Sequence, residues 1–399
     1  MKRARPRKIL FYILKFLFCK AICAHFGFTG KKYRPKSDHF IMISNHVTDV
    51  DFLCMPSSLP CHYYYVASDN IGRGKKLHDL LTYLIDPIWR KKSTNDITTV
   101  FNVLKRVKSG ENVCIFGEGG RSISGRTLPV VAATGKLVKA SGAALITYRI
   151  RGGYFIQPRW AKKFRKGRFF GEVVNEYSAG EIAGMSPEEV QEVIERDIYE
   201  DAYAYQRNAK LVYKGENIAE SIEVALYMCP ICKKLSAITS KGDTFECTNC
   251  QTHFRYTEQG FIESDRDTFD NITDWYEWQK AELRSRRELY SSYQENDPIT
   301  QDVSQDLTIL NDKEGDEVVN GTIAAYRDRL EFHGEGGRDF SFDYNDFSDA
   351  DVINRQGLIF SIKGKGSYVL SSETVNTSPF KYIELIYMLR TDGRTVHTV

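Results

Sequence analysis

The chain has 399 residues, which exceeds the length of one ordinary domain and predicts two or three. Its formal net charge of +3 is too small to indicate a class of partner. Of the nine cysteines, four form two CxxC pairs, which argues against a secreted disulfide scaffold and indicates a metal in a reducing compartment. Neither G-x-x-x-x-G-K-[ST] nor G-x-S-x-G occurs, which argues against a P-loop ATPase and an α/β serine hydrolase.

Residues 1–34 have the composition of a membrane-associating segment. Basic residues crowd the first eight positions, and the run from Ile9 to Phe28 is largely apolar, with Lys15, Lys20 and His25 inside it. Two internal lysines favour a helix at the membrane interface or a shallow hairpin over a clean span. A cleaved signal peptide and a first helix packed on the domain are the alternatives. We expect the chain on the cytoplasmic face of a membrane, with lipids as partners.

Residues 35–215 alternate between short apolar runs and segments of helical periodicity, which predicts an α/β layer domain around one sheet. Ser186 and Glu189 form a capping box with Pro187 at the first helical position, and the helix is predicted to run to about Asn208. The other predicted strands are Phe40–Ser44, Tyr63–Ala67, Val113–Phe116 and Ala144–Ile150, and the other helices are Lys75–Tyr83, Ile97–Ser109 and Gly135–Ser141.

The rest of the chain predicts three further parts. Ala219–Tyr227 reads as a helix that leads into a ribbon at residues 216–265, and residues 266–300 form a charged helical linker. Residues 301–399 alternate between short strands and turns and end in an amphipathic helix at Pro379–Leu389, which predicts a small, mainly β domain. This last pattern resembles pleckstrin-homology or GRAM-type domains, and a small β-sandwich is the alternative.

Asn45–Asp51 places a histidine and two aspartates at a strand-to-helix junction. Acyl transfer to an alcohol needs a base, and histidine suits that role when a carboxylate holds its other ring nitrogen. His46 and Asp51 have this relationship only if a turn separates them, and Asp49 competes with Asp51 as the partner. A capping box at Thr48 and Asp51 with an ordinary loop histidine is the alternative.

A second loop follows the strand predicted at Val113–Phe116. Its glycines, including Gly119, let backbone N–H groups approach an anion, while Arg121 can bind a phosphate with two hydrogen bonds. Glu118 is positioned to hold Arg121 or an acceptor hydroxyl, and Arg90 is a further candidate phosphate contact. A tight turn with structural arginines is the alternative. We expect the two loops to form one site.

Asn45, His46 and Asp51 resemble the NHx4D block of the glycerophospholipid acyltransferase family, the 1-acylglycerol-3-phosphate acyltransferases, and Phe116–Ser122 resembles that family's FPEGTRS block. The resemblance covers about residues 35–175. It implies a general base at His46 and an orienting partner at Asp51. It also implies that Arg90, Glu118 and Arg121 bind the phosphate region of the acceptor. The family uses an acyl-CoA or acyl-carrier-protein thioester, without a metal or an acyl-enzyme.

Two positions depart from the family pattern. Gly117 replaces a proline and Gly120 replaces a threonine, which leaves the acceptor open. A nearby basic stretch could recognise a different headgroup or face anionic lipid; it comprises Arg149, Arg151, Arg159 and Lys162.

The two CxxC pairs have the spacing of a zinc ribbon, in which two turns supply four thiolates to one structural zinc. The predicted ligands are Cys229, Cys232, Cys247 and Cys250. Four thiolates leave no open position, which argues against a catalytic metal. The ribbon lacks a dense basic stripe with interleaved aromatics, so no nucleic acid is expected.

These patterns together predict an acyltransferase that acylates a lysophospholipid, with 1-acylglycerol 3-phosphate as the acceptor that the resemblance implies. The alternative is a non-enzymatic membrane lipid-binding or scaffold protein that works through the ribbon and the β domain.

Overall fold

The computed structural model describes residues 4–68, 75–90, 97–311 and 315–392. The ends of the predicted N-terminal segment and of the predicted β domain, residues 1–3 and 393–399, therefore lie outside the described residues. The chain divides into two compact units, and each is described by itself. Among the described residues, the first comprises those up to 159 and 164–214, and the second comprises 160–163 and those from 215 to 392.

Seven strands of the first unit form one sheet in the order β1-β7-β6-β2-β5-β3-β4. From β6 to β4 neighbouring strands are parallel, while β7 is antiparallel to β6. All five residues of β2 are buried, as expected of a central strand covered on both faces. The strands are β1 (Phe28–Gly30), β2 (Phe40–Ser44), β3 (Tyr64–Ser68), β4 (Ile88–Arg90), β5 (Val113–Phe116), β6 (Ala144–Arg151) and β7 (Phe169–Tyr177).

Helices of the first unit lie before, between and after these strands. They are α1 (Ala4–Leu14), α2 (Lys20–Phe26), α3 (Asp51–Cys54), α4 (Lys75–Leu84), α5 (Ile97–Lys108), α6 (Thr134–Ser141), α7 (Gly153–Ile156), α8 (Ala179–Gly184), α9 (Pro187–Ile198) and α10 (Ala202–Ala209). Apolar residues of β2, such as Ile41, pack with Val103 of α5, Val138 of α6 and Ile194 of α9 in one buried cluster. The α/β layer domain predicted from the sequence is confirmed.

The helix predicted to run from Ser186 to Asn208 is interrupted: Pro187–Ile198 and Ala202–Ala209 are helical, but residues 199–201 between them are not. Glu200 exchanges hydrogen bonds with Thr127, and Asp201 pairs with Arg126 and caps α10. This pairing with residues 126–127 satisfies the backbone outside a helix, and local periodicity does not report it.

The N-terminal segment is helical through α1, a π-helical turn at Lys15–Cys19, and α2. Among the described residues, one helical stretch, Lys8–Phe26, is long enough and apolar enough to cross a membrane. Only 11% of its most apolar part is buried inside the protein. Cys19 and Cys23 are buried against Leu53 and Cys54, while Phe16 is 85% exposed. Lys15, whose charge weakened the prediction of a span, donates a hydrogen bond to the Leu59 carbonyl.

The second unit contains a four-stranded antiparallel ribbon in the order β11-β10-β9-β8 and a seven-stranded antiparallel sheet in the order β15-β14-β13-β12-β18-β17-β16. The ribbon strands are β8 (Ile238–Lys241), β9 (Thr244–Cys247), β10 (His253–Tyr256) and β11 (Ile262–Ser264). The helices are α11 (Ile272–Ser285), α12 (Arg287–Ser291) and α13 (Pro379–Leu389). The sheet strands are β12 (Thr300–Leu310), β13 (Glu317–Ala325), β14 (Arg329–Gly334), β15 (Arg338–Asp343), β16 (Phe347–Ile353), β17 (Gly357–Ile362) and β18 (Gly366–Ser371). The mainly β domain is confirmed, and its likeness to pleckstrin-homology or GRAM domains stays a prediction.

The helix predicted at Ala219–Tyr227 is wrong, since only the 3-10 turn Ile222–Val224 forms there. Backbone groups of this segment bond outside it: the Ala219 N–H donates to Gly242, and Gln279 of α11 accepts from Tyr227 and donates to Ala225. Residues 266–300, predicted as a helical linker, carry α11 and α12, and α11 packs in the second unit through the buried side chain of Gln279.

Candidate functional site

The two loops that the sequence singles out lie at the carboxyl ends of adjacent parallel strands. Ser44 of β2 is in register with Phe116 of β5, so the chain leaves both strands at one edge of the sheet. The Asn45 side chain donates to the Ile150 carbonyl at 2.8 Å and accepts from the Ile150 N–H at 2.7 Å. Because this amide bonds both backbone groups of one residue on β6, it fixes the loop that follows β2 to the neighbouring strand.

His46 and Asp51 are in direct contact. Asp51 is the first residue of α3 and turns back toward the loop, so that its Oδ2 lies 2.9 Å from Nδ1 of His46. Asp51 is fully buried, whereas the His46 side chain is 23% exposed. If Nδ1–H donates to the carboxylate, Nε2 keeps its lone pair and can accept a proton. The ring of Phe116 stacks on the imidazole at 4.1 Å between centroids.

Three other donors hold the buried carboxylate of Asp51. Its Oδ2 accepts from the backbone of Val47 at 2.8 Å and of Thr48 at 3.0 Å, and its Oδ1 accepts from the Thr48 hydroxyl at 2.5 Å. Together with His46 they compensate for the removal of this charge from water. The arrangement fixes both the position of the carboxylate and the orientation of the ring.

Glu118 joins the two loops through their backbones. Its Oε1 accepts from the His46 N–H at 2.7 Å and its Oε2 accepts from the Leu128 N–H at 2.6 Å. Burial raises the pKa of Glu118 to about 8, and the two backbone donors act in the opposite direction. Both oxygens are therefore engaged, and these contacts give Glu118 a positioning role toward His46; the predicted contact with substrate stays a prediction.

Arg121 forms an ion pair with Asp49. Its Nε lies 3.2 Å from Asp49 Oδ1, and its Nη1 donates to the Gln157 carbonyl at 3.4 Å. Gln157 also forms two hydrogen bonds with Asp49: its Nε2 donates to Oδ2 at 2.7 Å, and its Oε1 accepts from the Asp49 N–H at 2.8 Å. Asp49 thus pairs with Arg121, and Asp51 pairs with His46. The sequence left open which aspartate contacts the histidine, and the structure assigns that contact to Asp51.

Arg90 lies beside the Gly119 turn. A Cβ built on Gly119 would lie 3.5 Å from Arg90 Nη1, and the φ of Gly119 is +71°, a conformation that favours glycine. Among the described residues, no carboxylate pairs with Arg90. The structure therefore brings Arg90 and Gly119 together, with Arg121 on the same loop already paired.

Sequence reasoning missed Gln157 as a part of this site, gave no role to Asn45 although it belongs to the block that resembles the family, and interpreted Thr48 only as a helix cap. The Thr48–Asp51 spacing correctly indicated a contact between these two side chains. That contact also holds the carboxylate that orients His46. Nothing in the sequence connects Gln157 to Asp49, since they lie 108 positions apart. The basic stretch is largely engaged in protein contacts: Arg149 donates to the Tyr199 carbonyl, and Arg151 pairs with Glu172 and Glu200.

The four predicted metal ligands converge in the second unit. Their sulfur atoms all lie within 4.8 Å of one another, with Cys229 3.7 Å from Cys250 and Cys232 3.6 Å from Cys247. Sulfurs at about 2.3 Å from a tetrahedral zinc are separated by about 3.8 Å, so the cluster fits that ion.

The two CxxC turns of this cluster have the same backbone geometry. The residue after each pair, Lys233 or Gln251, has a φ of +58° and donates its N–H to the carbonyl of the first cysteine at 2.9 Å. Each turn therefore presents two sulfurs on the same side, as a zinc ribbon requires.

Residues 25–151 match the protein-family model for Acyltransferase. This part of the chain is an acyltransferase domain. It contains His46, Asp51 and the Phe116–Ser122 loop, and the acyltransferase domain predicted from these residues is confirmed.

Parts of the chain are also similar to solved structures. The 1-acyl-sn-glycerophosphate (LPA) acyltransferase PlsC from Thermotoga maritima is 20% identical, over 49% of this chain and 80% of that chain, with a TM-score of 0.40. A second similar structure, the C-terminal domain of an unknown protein from Leishmania infantum, is 11% identical, over 28% of this chain and 96% of that chain, with a TM-score of 0.18. The curated proteins contain no significant match.

Proposed function

We propose that this protein transfers a fatty acyl group from an acyl thioester to the hydroxyl of a lysophospholipid. The observation that carries the proposal is the contact between His46 Nδ1 and the buried Asp51 carboxylate, beside a loop that carries Arg121 and lies next to Arg90 of β4. The donor is an acyl-CoA or an acyl-carrier protein. The acceptor class follows from the resemblance of the two loops, which implies 1-acylglycerol 3-phosphate as the first acceptor to test.

The proposed reaction is a direct transfer. Nε2 of His46 takes the proton of the acceptor hydroxyl as its oxygen attacks the thioester carbonyl. Asp51 stabilises the imidazolium that forms. The tetrahedral intermediate then collapses, the carbon–sulfur bond breaks, and the proton on His46 passes to the leaving thiolate. The products are a new ester and a free thiol, with no acyl-enzyme.

The N-terminal helical segment is the proposed membrane contact, on the cytoplasmic face. Large apolar side chains are exposed on it, including Ile9 at 61% and Phe16 at 85%, and the preceding basic residues suit anionic headgroups. This placement would bring a lysophospholipid acceptor to the enzyme in its own bilayer.

The proposed metal is a structural zinc held by Cys229, Cys232, Cys247 and Cys250. Four thiolates complete a tetrahedral shell, so the ion would stabilise the ribbon and take no part in acyl transfer.

A thiol-release assay tests the proposal. The purified protein is given acyl-CoA or acyl-carrier protein with a panel of lysophospholipids, and the lipid product is identified by mass spectrometry. The proposal predicts acceptor-dependent thiol release and a diacyl product. If no donor and acceptor pair gives product while the protein still binds liposomes, the alternative of a lipid-binding scaffold replaces it.

A further inference from the structure

The exposed carboxylate of Asp49 lies 3.2 Å from Nε of Arg121 and pairs with its guanidinium. The Asp49 side chain is 61% exposed, whereas that of Arg121 is 13% exposed. A ligand therefore meets the carboxylate more readily than the guanidinium behind it. The two contacts from Gln157 hold Asp49 in this place.

This pairing changes the charge that the loop offers to an acceptor. The charges of Arg121 and Asp49 cancel locally, whereas Arg90 beside Gly119 has no carboxylate partner among the described residues. A phosphodiester carries one negative charge, whereas a phosphomonoester carries about −1.5 to −2 at pH 7. The single positive charge of Arg90 matches the single negative charge of a diester, and a second negative charge on the ligand would be repelled by Asp49.

We propose that Asp49 is a specificity residue that directs this site toward lysophospholipids with a phosphodiester headgroup and away from the phosphomonoester 1-acylglycerol 3-phosphate. The Asp49 carboxylate would accept a hydrogen bond from a headgroup hydroxyl or ammonium group beyond the phosphate. This inference rests on the proposed acyl transfer and names the acceptor class of the same site.

The test compares acceptors that differ only in the headgroup. Wild-type protein is assayed by thiol release with 1-acylglycerol 3-phosphate and with its phosphoethanolamine and phosphoglycerol counterparts. Each acceptor carries the same acyl chain and is diluted in the same excess of neutral detergent, so that the charge of the micelle surface stays constant. The readout is the ratio of kcat/KM for diester over monoester, with kcat and KM reported separately.

Asp49→Asn removes the charge with little change in shape and is the test variant. The matched control is Asp86→Asn. Asp86 forms another partly exposed ion pair, with Arg106, and precedes the first residue of β4. We expect a wild-type ratio above 1, a decrease of at least about fivefold in Asp49→Asn through a lower KM for the monoester, and no change in the control.

An active wild-type protein that prefers the monoester would overturn the inference, and so would an Asp49→Asn variant with the wild-type ratio. The wild-type preference decides the matter even if the variant does not fold. An absence of product with every acceptor is a different result, because it contradicts the proposed acyl transfer itself.

Discussion

Nδ1 of His46 lies 2.9 Å from Oδ2 of Asp51, although the two residues are five positions apart in the chain. On a continuous helix this spacing would turn the side chains away from each other. Here the loop from Val47 to Val50 reverses the chain, and Asp51 begins the next helix with its carboxylate facing back.

Asp51→Asn should reduce kcat by a factor on the order of 10³–10⁴. The amide would present an NH2 group to donors that now share a carboxylate, and it would no longer select the ring tautomer with a lone pair on Nε2. Thiol release and a thermal melt measure the effect. A folded variant whose kcat stays near that of the wild type would contradict the role given to Asp51.

Thr48→Val should lower both stability and activity, since it leaves Oδ1 of the buried Asp51 without the hydroxyl that now donates to it. Loss of one such donor costs about 1–3 kcal/mol. Urea unfolding and kcat measure the two effects. Thr48→Ser keeps the hydroxyl and is the matched control, which should retain most of both; a Thr48→Val variant with the stability and kcat of the wild type would contradict the role given to this hydrogen bond.

Glu118 should make the stability of the first unit depend on pH. Its pKa is raised from 4.5 to about 8, so over this interval the folded protein binds a proton that the unfolded chain does not. The associated stability is present below pH 4.5 and is lost as the pH rises through about 8. As the pH rises from 4.5 to about 8, the free energy of unfolding of the wild type should therefore decrease relative to that of Glu118→Gln.

Urea unfolding at a series of pH values measures this difference. Glu192→Gln, on an exposed position of α9, is the matched control because it makes the same charge change at the surface. A wild-type minus Glu118→Gln difference that does not vary with pH would contradict the expectation.

Zinc should be found at one ion per chain, and Cys232→Ser should lose it. Zinc binding in such clusters is coupled to folding, so the second unit should also become sensitive to protease. Cys61→Ser changes a partly exposed cysteine of the first unit and should keep the ion. Metal analysis decides the outcome, and full zinc content in Cys232→Ser would contradict the assignment.

The positions of the two loops could be predicted because they follow from local signals. Phe40–Ser44 and Val113–Phe116 are short apolar runs, and residues that follow parallel strands meet at one edge of a sheet. The four metal ligands could be predicted because each CxxC pair lies within one local turn, which needs no distant contact to place its two sulfurs.

Distant contacts explain what the sequence did not reveal. Gln157 selects the place of Asp49 from 108 positions away, and Asn45 holds Ile150 from 105 positions away. The break after Ile198 depends on Thr127 and Arg126, which compete with the helix for residues 200–201. Periodic patterns report only the local structure of a segment, so they do not reveal contacts between residues that lie far apart in the chain.

The most direct test of the account is acyl transfer by His46→Ala. His39 lies just before β2 and His46 just after it, so His39→Ala, at an exposed position, is the matched control. The account predicts that His46→Ala folds normally and loses acceptor-dependent thiol release by a factor on the order of 10² or more, while His39→Ala keeps it. A folded His46→Ala protein with full acyl transfer would contradict the assignment of His46 as the base.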